Sequence, residues 1–180
     1  MVAGFKIKWC VMFMDRIKKE KVIGQDINKN KVELEVSKMK FRPSVYGVLI
    51  ENNKVFLSKQ FDGYDFPGGE MEIDETIEEA LQREFKEETG LEIKMNEVLE
   101  CRHDFWLAPF EKQQCNSILM YFLCEKVGGE ISIDGFDEYE KQYAGMPEWI
   151  DINDIEKIRF YNPVDSVAII KKAAEIVNNK

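Results

Sequence analysis

Gly69-Glu70-Met71-Glu72-Ile73-Asp74-Glu75-Thr76-Ile77-Glu78-Glu79-Ala80-Leu81-Gln82-Arg83-Glu84-Phe85-Lys86-Glu87-Glu88-Thr89-Gly90-Leu91 is the stretch of this 180-residue chain on which the reading of the fold turns. An α-helix advances by about 100° per residue. With Glu84 at the origin, Glu87 lies about 60° to one side and Glu88 about 40° to the other, so the three carboxylates share an arc of about 100°. Toward the N-terminus that arc holds Ile77, Ala80 and Leu81, and Leu91 returns to it. The opposite face carries Glu79, Gln82, Lys86 and Thr89, with Glu78 at its edge. An inward stripe is therefore apolar over half its length and acidic over the rest. Phe85 borders the stripe and is placed to anchor the helix. Thr76 and Glu79 form a T-x-x-E capping box, and Asp74 and Glu75 add negative charge at the positive end of the helix dipole.

A run of glutamates is ordinarily a solvated face. Here the carboxylates occupy positions the pattern reserves for apolar residues, and like charges on adjacent turns repel. A divalent cation would neutralise them, and an oxygen-only donor set suits a hard ion, Mg²⁺ or Mn²⁺. Upstream, Tyr64-Asp65-Phe66 reads as a short strand entering Pro67-Gly68-Gly69, where two glycines let the main chain approach a ligand. Arg83 can pair with Glu75 or orient Glu84, and the structural pair is the preferred reading.

The segment resembles the Nudix hydrolase signature, G-x5-E-x7-R-E-U-x-E-E-x-G-U with U a bulky apolar residue. Gly69, Glu75, Arg83, Glu84, Phe85, Glu87, Glu88, Gly90 and Leu91 fill its fixed positions. Asp74 departs from the glycine that many members carry there. The resemblance implies an α/β fold, an α/β/α sandwich around a mixed sheet, and hydrolysis of a nucleoside diphosphate linked to another group. Position by position, it implies Glu84 and Glu88 as principal metal ligands and Glu87 as a further ligand or water-orienting group. It also implies a backbone carbonyl from Gly69, with Glu75 and Arg83 holding loop and helix together. Members often take another glutamate from a later loop, which here points to Glu138 or Glu140.

The net charge of −9 argues against nonspecific binding to polymeric nucleic acid or anionic membranes. A polyanionic substrate would then rely on bound metal and local cations, for which Arg42, Lys59, Arg102 and Lys112 are candidates. Cys10, Cys101, Cys115 and Cys124 form no C-x-x-C pair, so zinc-knuckle spacing is missing. With no secretory signal or 18-residue apolar span in the sequence, free thiols in a reducing cytoplasm are expected. The single histidine, His103, reads as a packing residue.

Residues 1–40 read as an N-terminal extension with strand character at Phe5–Phe13, and residues 41–180 as the hydrolase domain. The segment from Asp15 to Asn30 is polar and lysine-rich. Val32, Leu34 and Val36 alternate with Glu33 and Glu35 as in a half-buried strand. Ser44–Glu51 and Lys54–Lys59 flank the turn pair Asn52-Asn53. Val98–Phe105, Asn116–Glu125, Glu130–Ile133 and Glu148–Ile150 are strand-like, and Ile152–Ile158 is a short helix. Pro163 is expected to start the last helix, with Val167, Ile170, Ala174 and Val177 on one stripe.

Phe105, Trp106, Phe110 and Tyr143 are candidates to stack on a base, with Arg42 and Lys59 as substrate contacts. The preferred substrate is a nucleoside triphosphate, standard or modified, because one compact domain shows no extra module. ADP-ribose or another nucleotide sugar is the alternative, and a dimerising N-terminal arm would favour it; monomer and homodimer both stay open. A catalytically silent nucleotide sensor is the remaining reading, and the intact acidic set weighs against it.

Overall fold

The protein is described by a computed structural model covering residues 19–109, 112–136, 138 and 140–179. The expected strand at Phe5–Phe13 and the candidate Phe110 lie outside the described residues. The rest forms one mixed sheet: β1 (Lys21–Gln25), β2 (Lys31–Glu35), β3 (Met39–Glu51), β4 (Lys54–Gln60), β5 (Gly63–Asp65), β6 (Gly68–Glu70), β7 (Leu91–Leu107), β8 (Gln114–Gly129) and β9 (Ala144–Asp151). Two helices accompany it, α1 (Ile77–Thr89) and α2 (Ser166–Asn178). The strand order is β2-β1-β7-β8-β3-β4-β5, with β6 on β3 and β9 on β4. β1 meets β7, and β3 meets β8, in parallel; the other pairings are antiparallel.

Strand alternation sends successive side chains to opposite faces. Val45, Leu49, Phe56 and Phe122 pack with Ala80, Leu81 and Phe85 of α1. Val48, Ile50, Val55, Leu57, Tyr121 and Leu123 pack with Ile169, Ile170, Ala173 and Ala174 of α2. The central strands are thus buried on both faces, and the sheet lies between two helices as the resemblance implied. The β3–β4 hairpin turns at Asn52 and Asn53, both at positive φ (49° and 60°), as a tight two-residue hairpin requires. Among the described residues no helix is long and apolar enough to cross a membrane.

Several expectations need correction. The polar Asp15–Asn30 segment contains β1, which lies one strand in from the sheet edge, between β2 and β7, and alternates between exposed and partly buried side chains. Val36 leaves the β2 alternation for a short 3-10 turn and is exposed. Glu130–Ile133 is not a strand; Ser132 N–H bonds instead to the Thr89 carbonyl at the end of α1 (2.9 Å). The last helix begins at Ser166, because the Asp165 carboxylate, not Pro163, caps it by accepting from Ala168 N–H (3.0 Å). Thr89, placed on the outer face of α1 by rotation alone, is buried. Its hydroxyl donates to the Phe85 carbonyl (2.5 Å) and accepts from Leu91 N–H (3.1 Å), which satisfies it locally. Ile77 sits in the first turn of α1 and is 37% exposed.

Phe85 carries the α1 contact. It is fully buried, its ring faces Phe56 at 6.3 Å, and Gly47 of β3 lies so close that a Cβ there would strike it. Phe85→Ala should lower unfolding free energy by about 3–5 kcal/mol, read from the shift of the urea midpoint at unchanged slope.

Candidate active site

The acidic segment is held by its own local chemistry. Thr76 caps α1 as expected: its hydroxyl accepts from Glu79 N–H (3.3 Å) and the Glu79 carboxylate accepts from Thr76 N–H (2.9 Å). Gly90 ends the helix in the left-handed region (φ 75°), with its N–H on the Lys86 carbonyl. β6 brings Gly69 against Glu84 of α1, and a Cβ on Gly69 would drive into its carboxylate.

Arg83 is the hub of the segment. Its Nε and Nη2 donate to the two oxygens of Glu75 (2.5 and 2.8 Å). Nη1 donates to Glu84 (2.9 Å) and Glu87 (3.1 Å), and Nη2 also reaches the Glu70 carbonyl (3.2 Å). The guanidinium therefore takes both roles weighed for it. It pulls the Glu75 carboxyl down to about 2 by direct hydrogen bonding, helped by Glu72 N–H. Glu84 moves the other way: its side chain is only 15% exposed, and desolvation raises its pKa despite Arg83, with Glu87 adding repulsion.

The three glutamates do not stand as one cluster. Glu84 and Glu88 line a cavity of about 570 Å³, whereas Glu87 is half exposed and lies outside that lining. Glu88 accepts from Ser58 Oγ (2.9 Å) and Gly68 N–H (3.2 Å). Among the described residues no three acidic, cysteine or histidine side chains converge closely enough, as they stand, to hold a metal ion. Equal angular spacing on a helix fixes where side chains start, and Arg83 and Ser58 decide where they end. The donor chemistry still fits a hard divalent cation. Two carboxylates face a cavity, one of them desolvated, beside a glycine that leaves room for close approach. Few protein oxygens are what an ion needs when waters and substrate phosphates complete its shell.

Of the other predicted residues, Arg42, Trp106 and Tyr143 line the cavity. Arg42 pairs with Glu70 (3.2 Å) and lies over the Trp106 ring at 5.6 Å; Lys40 shares Glu70 (2.7 Å). Tyr143 stacks on Phe61 at 5.2 Å. Lys59 pairs with Glu148 (3.3 Å) and Phe105 packs edge-on against His103, both outside the cavity lining. Glu138 is 93% exposed and paired with Lys141 (2.7 Å). Glu140 opens a 3-10 turn ending at Gln142. Sequence reasoning missed Asp65, Phe61, Tyr161, Asn162 and, from the β1–β2 tip, Gln25, Asp26, Ile27 and Lys29, all in the cavity wall. Asp65 is half-buried, and desolvation pushes its carboxyl up to about 6 against hydrogen bonds from Asn162 and Phe66 N–H. A short, non-periodic strand gave no cue to that.

Residues 40–169 match the NUDIX domain. The chain belongs to the NUDIX family. It is accordingly a Nudix-type pyrophosphohydrolase. It is 30% identical over 154 residues to the ADP-ribose pyrophosphatase of Methanocaldococcus jannaschii, spanning 83% of this chain and 82% of that protein. It is 33% identical over 147 residues to an RNA pyrophosphohydrolase of Xanthomonas campestris, spanning 73% and 66%. Its fold is similar to the crystal structure of an ADP-ribose pyrophosphatase from Streptococcus suis, with TM-score 0.57, 16% identity, and coverage of 76% and 91%.

The Glu75–Arg83 pair of this Nudix segment has a pH signature. Glu75 is depressed in the folded state, so its contribution is present above the unfolded value of 4.5 and is lost as pH falls toward about 2. Thermal melts of wild type and Glu75→Gln should differ clearly at neutral pH, with the gap closing between pH 4.5 and 2.

Proposed function

We propose that this Nudix chain hydrolyses the diphosphate linkage of a nucleoside diphosphate joined to a further group, with Mg²⁺ or Mn²⁺ held by Glu84, Glu88 and the Gly69 carbonyl. The observation that carries this reading is the cavity in which Glu84 and Glu88 face Arg42 and Trp106. Carboxylates suit the cation, while the guanidinium and the indole suit phosphate and a flat ring. A divalent ion in such a site supplies polarisation of phosphoryl oxygens and a bound water of lowered pKa.

The chain's own groups supply the rest. Arg83 fixes Glu75 to the helix, so the loop after β6 and the first acid of the site move as one body. Ser58 Oγ and Gly68 N–H orient Glu88. Glu87, half exposed and bonded to Arg83, shares the turn of α1 that bears Glu84 and Glu88, and it accepts the proton of the attacking water once it turns from Arg83 toward the cavity. Glu138 is 93% exposed and belongs to no element that bears a cavity-lining acid, which weighs against it as the distal base. Arg42 and Lys40 lower the repulsion that a net charge of −9 presents to a polyanion.

A triphosphate is the expected substrate only if no segment outside the compact domain reaches the site. The β1–β2 tip lines the cavity, and the likeness to an ADP-ribose pyrophosphatase supports a diphosphate-linked group instead. The likeness to an RNA pyrophosphohydrolase supports a second reading, an RNA substrate, which the acidic charge balance opposes.

Phosphate or nucleoside monophosphate release across a nucleotide panel should require Mg²⁺ or Mn²⁺ and vanish with chelator. Glu84→Gln and Glu88→Gln should each lower kcat by at least about 100-fold with an unchanged circular dichroism spectrum. Full turnover in both variants would remove the site assignment.

A further inference from the structure

The cavity has a second wall, built from the end of β5, the 159–163 loop and the β1–β2 tip rather than from α1. Asp65 is its central polar group. Asp65 Oδ1 accepts both Phe66 N–H (2.8 Å) and Asn162 Nδ2 (2.5 Å). Asn162 is fixed in turn, because its Oδ1 accepts from Ser166 Oγ (2.6 Å) at the start of α2. One carboxylate oxygen is therefore doubly bonded and immobile, while Oδ2 has no hydrogen-bond partner among the described residues. Asp65 is half-buried in this wall, so Oδ2 is the oxygen left open to a donor placed in the cavity. Its charge is already disfavoured by burial, and Lys29 at the β1–β2 tip is the cation that offsets this.

The tip is built to stay in place. Asp26 Oδ1 accepts from the N–H groups of Asn28 and Asn30 (both 2.9 Å), closing the turn. Arg159 Nη2 donates to Asn28 Oδ1 (2.9 Å), and Gln25 Nε2 donates to Asp104 Oδ2 (2.8 Å). These bonds hold Ile27 and Lys29 against the cavity from outside the 40–169 match.

We propose that Asp65 is a specificity-determining residue whose Oδ2 accepts a hydrogen bond from an N–H or O–H on a ring group attached to the diphosphate, with Ile27 and Lys29 closing the outer side of that subsite. The inference rests on the hydrolase reading for the diphosphate end. The shared chemistry is a ring bearing a hydrogen-bond donor, and it can come from the base or from the distal sugar. A site that commits a half-buried acceptor to a substrate donor disfavours analogues lacking it, because the acceptor is then left unpaired under the bound ring.

Calorimetric binding separates the two sources. ADP-ribose is compared with the methyl ester of ADP, and GTP with its N1-methyl derivative, for wild type and Asp65→Asn. Wild type should bind the donor-bearing member of one pair at least about 10-fold more tightly. The ADP-ribose pair assigns the sugar and the GTP pair assigns the base. Asp65→Asn keeps an oxygen for Phe66 and Asn162 but turns an amide donor toward the cavity, so the ratio should collapse to within about 2-fold or invert. No ratio in either pair for wild type, no binding at all, or a ratio unchanged in Asp65→Asn overturns the proposal. Ile27→Trp should raise KM for the preferred substrate about 10-fold with kcat held, and an unchanged KM overturns the role of the tip. Mg²⁺-dependent turnover on the same compounds is scored separately: its failure removes the hydrolase reading, while the binding ratios still decide the subsite.

Discussion

A single guanidinium inside an acidic segment organises this protein's site. Arg83 meets carboxylates of Glu75, Glu84 and Glu87 and a main-chain carbonyl of β6. Its planar array of donors can serve several oxygens at once, which an ammonium could not do with the same geometry. Without that charge, the loop after β6 would have no reason to fold back on α1, since it would bring negative groups together. Glu75 and Glu84 feel the same arginine with opposite results. Glu75 is pulled down, because the bidentate contact outweighs desolvation, whereas burial wins at Glu84.

Precision at the site begins in the core beneath it. Phe85 sits between Glu84 and the segment bearing Glu87 and Glu88, and it is locked against Phe56 and Gly47. The apolar anchor and the acids share one helix, so packing of the first fixes the azimuth of the second. Ser58 links the layers further: it belongs to β4, whose Val55, Phe56 and Leu57 feed both cores, and it bonds Glu88. Rigid elements hold functional groups more precisely than loops do.

How much of this could be read in the sequence depends on whether the deciding contact is local. The capping box, the Asn52-Asn53 turn and the rotation of Glu84 and Glu88 toward the core follow from spacings of a few residues, and all appear. The direction of Glu87 does not follow, because its partner Arg83 competes with the inward arc. Thr89 misleads for a related reason: a polar residue on an outer arc is buried once its hydroxyl finds the Phe85 carbonyl. Asn162 and Asp65 are 97 positions apart and meet only through the assembled sheet. No period or propensity encodes such a pair, and a lone aspartate in a three-residue strand looks like a turn residue.

The two ends of the cavity use charge in contrasting ways. At the α1 end Glu84 is compensated by Arg83, while Glu88 is held by Ser58 and Gly68 N–H. At the β5 end Asp65 carries a charge the fold disfavours, held by Asn162 and faced by Lys29 of the β1–β2 tip. A fold gains little from a half-buried carboxylate with one oxygen unmet, since an amide would serve the same two donors with less desolvation cost. Such a group is explained by what it does when the cavity is filled. The hairpin that confines it lies outside the NUDIX match, so the segment that sets this end of the site is separable from the residues that set the chemistry. Under the proposed function, bond cleavage falls to a helix fixed by its own sequence, and selection to contacts that only the complete sheet brings together.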